Sequence, residues 1–110
     1  MQRLFVLFHS PGPRWDDAIG FLEQPGIEEH IAFMRSLAER GLMALGGPFS
    51  DDDAASSVGM AVVTAPDAAA AERLAHEDRS VASGLIQVTV RPWNVPMGFA
   101  LGSIPPAEQG

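Results

Sequence analysis

The spacing of apolar and polar positions divides the chain into four strand-like and two helix-like segments. The first, Arg3 to His9, is apolar on both sides of its pleat, which predicts a strand buried on both faces. Two further strands are predicted over Leu42 to Leu45 and Val58 to Thr64. The fourth, Leu85 to Pro92, alternates between apolar and polar residues, as half-buried strands do.

Two stretches instead carry the signature of helices. From Ile27 to Arg40 apolar residues recur at helical spacing, and Gly41 follows as a left-handed terminator. From Pro66 to Glu77 the alanine run has very high helix propensity, and Pro66 suits the first helical position. The chain therefore reads strand, helix, strand, strand, helix, strand.

The remaining segments are predicted to be loops. Residues Ser10 to Gly26 are rich in proline and glycine, with one or two helical turns expected within Asp16 to Leu22. Phe49 to Ser57 is predicted to be a hairpin loop. We expect one domain over residues 1–94, followed by a flexible tail or dimer arm over 95–110.

This element order predicts an α+β fold of the ferredoxin-like βαββαβ kind. In that split arrangement a four-stranded antiparallel sheet carries both helices on one face. Because the first strand is apolar on both sides, the second face would expose a larger apolar patch than monomers usually tolerate. A two-fold homodimer that buries sheet against sheet is therefore expected.

Composition narrows the class of protein and its partners. The 110 residues contain 46% hydrophobic and 19% charged residues, as in ordinary globular proteins. The N-terminal apolar stretch is too brief for a signal peptide, so we expect a cytoplasmic protein without a membrane partner. Absence of cysteine excludes disulfides and thiolate chemistry. The net charge of −7 and scattered arginines make nucleic acid an improbable partner. The run Asp51 to Asp53 matches no calcium loop, so no metal is expected.

His30 is the first candidate for chemistry. It lies three residues after Ile27 and four before Met34, inside the apolar stripe of the first helix, so it should be at least half buried. The spacing alone favours a core histidine held by one hydrogen bond. The functional interpretation is a general base or acid, because imidazole titrates near neutral pH.

Asp78 is the second candidate, at the predicted C-terminal end of the second helix, where a carboxylate meets the negative end of the helix dipole. The two helices run antiparallel on one sheet face, so the start of the first should lie beside the end of the second. Asp78 would then orient the ring of His30 as the carboxylate of a catalytic triad does. The alternative is that Asp78 only caps the turn from Glu77 to Ser80.

Three motifs in order support a family resemblance. They are the run from His30 to Leu37 leading to Gly41-Leu42 and Gly46-Gly47-Pro48, the run from Asp78 to Leu85, and Arg91-Pro92-Trp93. Over roughly residues 3–94 the chain resembles the YCII-related family, although Arg79 replaces the usual proline and the 10–26 loop is longer than typical. The resemblance implies a dimeric α/β-barrel superfamily member with a His-Asp active site at His30 and Asp78.

The resemblance also implies a range of reactions. Similar proteins include chloromuconate dehydrochlorinase, and the wider superfamily includes muconolactone isomerases and cofactor-free monooxygenases. We therefore expect a small cofactor-independent lyase or isomerase acting on a small organic acid or aromatic metabolite, with His30 as the base. The alternatives are a non-catalytic dimeric metabolite-binding module and a cofactor-free monooxygenase. Residues expected to bind the substrate are His9, Arg14, Gly47, Arg79 and Arg91.

Overall fold

The computed structural model describes residues 2–50 and 58–98, which form one sheet with its helices on one side. The strands are β1 (Gln2–Pro11), β2 (Met43–Pro48), β3 (Gly59–Val63) and β4 (Ile86–Val95). The helices are α1 (Ile27–Glu39), α2 (Ala68–Ala75) and the short α3 (Arg79–Ala82), with a 3-10 turn over Phe21–Glu23.

The sheet has the order β2-β3-β1-β4 with every neighbouring pair antiparallel, which confirms the predicted ferredoxin-like fold. β1 is central because its residues are apolar on both sides, and it pairs with β4 over its whole length, from Gln2 opposite Val95 to Pro11 opposite Ile86. The main core lies between the sheet and the helices and contains Phe5, Leu7, Phe33, Leu37, Ala61, Val63, Ala71, Leu74 and Ala75.

The second predicted helix differs from the observed structure at both ends. Asp67 is the N-cap of α2, its carboxylate accepting a hydrogen bond from the Ala70 N–H at 2.8 Å, so Pro66 precedes the cap and does not occupy the first helical position. α2 ends at Ala75, and the chain starts a new helix at Arg79 with Asp78 as its N-cap. The second helix is thus present but two residues shorter at each end than predicted, and the short α3, which begins at the side-chain cap of Asp78, was not predicted.

The loop between β1 and α1 is held against the body of the protein. Its predicted helical piece is a single 3-10 turn, Phe21–Glu23. The buried Gln24 amide accepts from the Asp16 N–H at 2.9 Å and donates to the carbonyls of Asp16 and Ile19 at 2.7 and 3.1 Å. Trp15 packs in a second apolar cluster with Ile27, Val58, Leu85 and Ile86. The loop thus forms a fixed wall beside the start of α1.

The opposite face of the sheet, which we call the open sheet face, carries Val6, Phe8, Met60 and Trp93 around a hollow that also includes Thr89, Arg91 and Pro92. Phe8 and Trp93 are 37% and 47% exposed, so this face is apolar, as the sequence predicts. The predicted loop around Asp51 to Asp53 and most of the predicted tail, residues 99–110, lie outside the described residues. Across residues 2–50 and 58–98 no helix has the length and apolar character needed to cross a membrane.

Candidate active site

His30 and Asp78 form a buried pair between α1 and α3. His30 belongs to the stripe of α1 that faces the protein interior, together with Ile27, Phe33 and Leu37. Its Nδ1 lies 2.6 Å from Oδ2 of Asp78, and the two residues are 4% and 0% exposed. The helix periodicity therefore buries the histidine, and the return of the chain after α2 brings the carboxylate to it.

Each carboxylate oxygen of Asp78 has its own hydrogen-bond partners. Oδ2 faces His30, while Oδ1 accepts from the Ser80 backbone N–H at 2.9 Å and from the Ser80 hydroxyl at 2.7 Å. The two alternatives considered from the sequence, turn capping and contact with His30, thus occur together. The prediction that Asp78 lies at the unfavourable C-terminal end of the second helix was wrong. Asp78 is instead the N-cap of α3, where the helix dipole favours a carboxylate.

These contacts determine the charge of Asp78 and the orientation of His30. Burial by itself raises the pKa of Asp78, but the hydrogen bonds from His30 and Ser80 outweigh it, and the pKa lies below its ordinary value. Asp78 is therefore a carboxylate at neutral pH and accepts the Nδ1–H of His30. A neutral His30 then keeps its lone pair on Nε2, the nitrogen a general base needs.

A pocket of about 330 Å³, the His30 pocket, opens beside this pair. Its lining residues come from α1, β2, β3 and the preceding loop: Phe21, His30, Ile31, Met34, Arg35, Met43, Gly46, Gly47, Pro48, Val58, Gly59 and Met60. The missing side chain at Gly46 leaves room here, because a Cβ would lie 3.0 Å from the Met43 sulfur and 3.2 Å from Ala61. His30 thus reaches a small, largely apolar cavity.

His9 lies behind the pair. His9 is 0% exposed because it faces the helices, on the same side of β1 as Phe5 and Leu7. Its ring meets that of His30 edge to face, with centroids 4.7 Å apart. Neither ring nitrogen has a hydrogen-bond partner within residues 2–50 and 58–98. His9 supports His30 and does not line the His30 pocket.

The pKa of His9 is lowered from 6.5 to about 4, mainly by burial and secondly by electrostatic repulsion from His30, while the carboxylate of Asp78 partly opposes both effects. His9 is therefore neutral in the folded protein at pH 7. In the unfolded chain it takes up a proton as the pH falls below 6.5, so acidification between pH 6.5 and 4 favours unfolding.

Protonation of His9 in the unfolded chain should lower the free energy of unfolding of the wild type by on the order of 3 kcal/mol between pH 7 and pH 4. The variant His9→Leu, of similar volume and without a titrating group, should lose much less over the same range. Urea denaturation at pH 7, 5.5 and 4.5 measures the difference. Parallel pH profiles for the two proteins would show that His9 titrates normally in the fold.

His9, His30 and Asp78 also form the set of donors best suited to a metal among the described residues. One donor atom from each lies within 4.8 Å of the others, and two imidazoles with a carboxylate suit zinc or ferrous iron. A metal bound by Nδ1 of His30 and Oδ2 of Asp78 would have to replace their hydrogen bond. Function without a metal ion or cofactor stays a prediction.

The other residues expected to bind substrate are dispersed. Gly47 lines the His30 pocket, whereas Arg91 lies on the open sheet face and Arg79 lines a shallow hollow on the outer side of α1. The aliphatic part of Arg14 approaches Gly84, at the end of α3. Within the part of the chain that the structure describes, the arginine that lines the His30 pocket is Arg35, which was not predicted from the sequence.

Helix spacing alone contains the signal for Arg35. Ile31 and Arg35 are four residues apart, as are His30 and Met34, and all four line the pocket from adjacent rows of α1. The charge of residue 35 suggests the solvent side of the helix, which hides this relation. Only the position of β2 in the folded protein shows that the pocket extends to the row of α1 that contains Ile31 and Arg35.

A split βαβ sheet with a buried imidazole–carboxylate pair beside a small pocket defines the class of fold and site. The chain belongs to the YCII-related family, since the model of the YCII-related domain matches residues 16–94. This finding confirms the resemblance derived from the motifs. No curated protein matched the chain in a sequence comparison.

The fold of this chain is similar to that of a solved structure over most of the length of both chains. That structure is 5-chloro-2-hydroxyhydroquinone dehydrochlorinase from Burkholderia phenoliruptrix AC1100, in complex with 2,5-dihydroxybenzoquinone. The TM-score is 0.57 and the sequence identity 20%, over 83% of this chain and 93% of the other. At this identity the likeness supports the fold.

Proposed function

We propose that this protein is a small-molecule lyase in which His30, oriented by Asp78, acts as a general base in an elimination. The observation that carries the proposal is the 2.6 Å contact between Nδ1 of His30 and Asp78, which leaves Nε2 to serve the His30 pocket. In the keto tautomer of the ring, whose carbon at the leaving group is tetrahedral, a conjugated hydroxyl proton passes to Nε2. Its electron pair shifts through the ring to form the new π bonds of a quinone, and the leaving group departs as an anion from the tetrahedral carbon. Asp78 stabilises the resulting imidazolium.

The size and polarity of the pocket favour a small ring-shaped substrate. Its volume of about 330 Å³ lies at the lower end of ligand pockets, which commonly measure about 300–1,000 Å³. The fold resembles that of a dehydrochlorinase whose complex contains a dihydroxybenzoquinone. A hydroxylated aromatic or quinoid ring bearing a chloride leaving group is therefore the first substrate class to test.

Two assays test this proposal. Chloride release from chlorinated hydroxyhydroquinones reports the whole elimination, and deuterium exchange into the ring C–H positions of 2,5-dihydroxybenzoquinone, followed by NMR, reports proton transfer alone. We expect the wild type to accelerate at least the exchange. If it binds the quinone but accelerates neither reaction, the protein is the non-catalytic metabolite-binding module considered as the alternative.

We also propose that the open sheet face is covered by a second copy of the chain. Phe8 and Trp93 expose apolar rings there, on a face that an isolated monomer would leave in water. Light scattering should then give twice the chain mass of 11.7 kDa.

The variant Trp93→Glu should shift the protein to monomers, because a buried unpaired carboxylate opposes sheet-to-sheet contact. The matched control is Leu22→Glu, which changes another exposed apolar residue, 75% exposed and in the loop before α1. A wild type that is monomeric at millimolar concentration, or a dimer insensitive to Trp93→Glu, contradicts this arrangement.

A further inference from the structure

Among the described residues that line the His30 pocket, two have polar side chains, and these lie at different depths. His30 lies at the inner end and is 4% exposed, whereas Arg35 is exposed at the outer end of the same lining. Both belong to α1, five residues apart, which separates their backbone positions by about 7.5 Å along the helix axis. A ligand in the pocket therefore meets an imidazole at one end and can meet a guanidinium at the other.

The charge of the pocket lining is opposite to that of the chain. The protein has a net charge of −7, yet the described residues lining the pocket include Arg35 and no aspartate or glutamate. The other arginines whose surroundings are described above lie elsewhere, and Arg40 pairs with Glu77 at 3.0 Å. A positive group at the mouth of a pocket in an acidic protein favours an anionic ligand.

The remaining lining indicates the shape of that ligand. Ile31, Met34 and Met43 provide apolar, adaptable walls, and Phe21 adds an aromatic ring 6.4 Å from the ring of His30. Such walls suit a flat ring with few polar substituents. The polar side chains at the two ends of the pocket, His30 and Arg35, then suit a ligand with one group that gives up a proton and another that carries negative charge.

We propose that Arg35 binds an ionised oxygen of the substrate, so that the substrate class is a small planar ring bearing a phenolate, enolate or carboxylate group opposite the position that reacts at His30. This inference rests on the proposed function, since it names the substrate class of the same pocket. The planar guanidinium can bind one oxygen or two adjacent oxygens through paired N–H donors. It also stabilises negative charge that grows on the ring as the proton leaves.

Binding of an ionised and a neutral ring tests the proposal. The probes are 2,5-dihydroxybenzoquinone, an anion at neutral pH, and hydroquinone, which is neutral there; both are titrated calorimetrically into the full chain. Arg35→Gln should weaken binding of the anion about 10- to 100-fold and leave hydroquinone binding unchanged. Arg35→Lys should restore part of the loss, because it keeps the charge but not the paired donors.

The matched control is Arg73→Gln, which removes the same charge from the exposed surface of α2. Equal anion affinity in Arg35→Gln and Arg73→Gln overturns the proposal, and so does failure of the wild type to bind the anion at millimolar concentration. Circular dichroism verifies that both variants remain folded.

The outcomes distinguish this inference from the proposed function. If Arg35→Gln loses the anion while the wild type shows neither exchange nor chloride release, the anion site stands and the lyase proposal fails. If the wild type accelerates exchange and Arg35→Gln binds and reacts as well as Arg73→Gln, the lyase proposal stands and the role of Arg35 fails.

Discussion

Replacing His30 with glutamine should lower kcat for ring proton exchange by about 10²- to 10⁴-fold, the usual contribution of a positioned general base. The glutamine amide can still donate to Oδ2 of Asp78, so the buried carboxylate keeps a partner. It has no basic nitrogen to offer the His30 pocket. The exchange of 2,5-dihydroxybenzoquinone hydrogens, measured at saturating ligand, gives the loss directly.

The control for this variant is Met34→Leu, one turn further along α1 in the same pocket lining. A volume-conserving apolar exchange usually costs less than about 1.5 kcal/mol of stability and removes no titrating group. It should keep kcat within a few-fold of the wild type. A His30→Gln protein that retains full kcat would exclude His30 as the base.

Changing Asp78 to asparagine should have a comparable effect on kcat, through the tautomer of His30. Oδ1 already accepts two hydrogen bonds from Ser80, so the amide oxygen of asparagine should take that side and its NH₂ group should face His30. The Nδ1 atom must then accept, and the ring proton moves to Nε2. The lone pair that removes the substrate proton is lost, a change that costs about 10⁴-fold in the corresponding triad variant.

Nitrogen-15 NMR of the histidine ring distinguishes this mechanism from simple loss of structure, because it reports which nitrogen of His30 carries the proton. The matched control is Asp67→Asn, the same substitution at the exposed N-cap of α2, where asparagine caps as well as aspartate. Unchanged tautomer and kcat in Asp78→Asn would contradict the orienting role of Asp78.

The stability of the Asp78 variant should also differ from the wild type in acid. The hydrogen bonds of Asp78 keep its pKa below the ordinary value of 3.8, so its ionisation stabilises the fold above that pH and the stabilisation is lost as the pH falls below it. This window lies below that of His9, which ends near pH 4. Asp78→Asn should therefore lose less stability than the wild type only as the pH falls below 3.8, and not in the higher pH range in which His9 titrates.

Much of the fold follows from short-range patterns. The α1 helix was predicted over 27–40 and is observed over Ile27–Glu39, because an amphipathic stripe and Gly41, with a φ of +72°, act locally. The order of strands and helices then leaves few topologies, and the ferredoxin-like sheet is the one observed. The boundaries around Asp78 were less predictable, because α3 begins at a single carboxylate cap that the helix propensity of the alanine run does not indicate.

The site shows the same division between local pattern and tertiary contact. The sequence by itself determined that His30 is buried in α1, since burial follows from its place in the apolar stripe, and it brought Asp78 close through the antiparallel order of the helices. Only the tertiary structure decided which carboxylate oxygen His30 meets, that His9 lies behind it, and that Arg35 instead of Arg14, Arg79 or Arg91 lines the pocket. Helical and strand periodicity specify which side of an element is buried. The position of a side chain in a cavity depends on how separate elements pack, and no periodicity within one element contains that information.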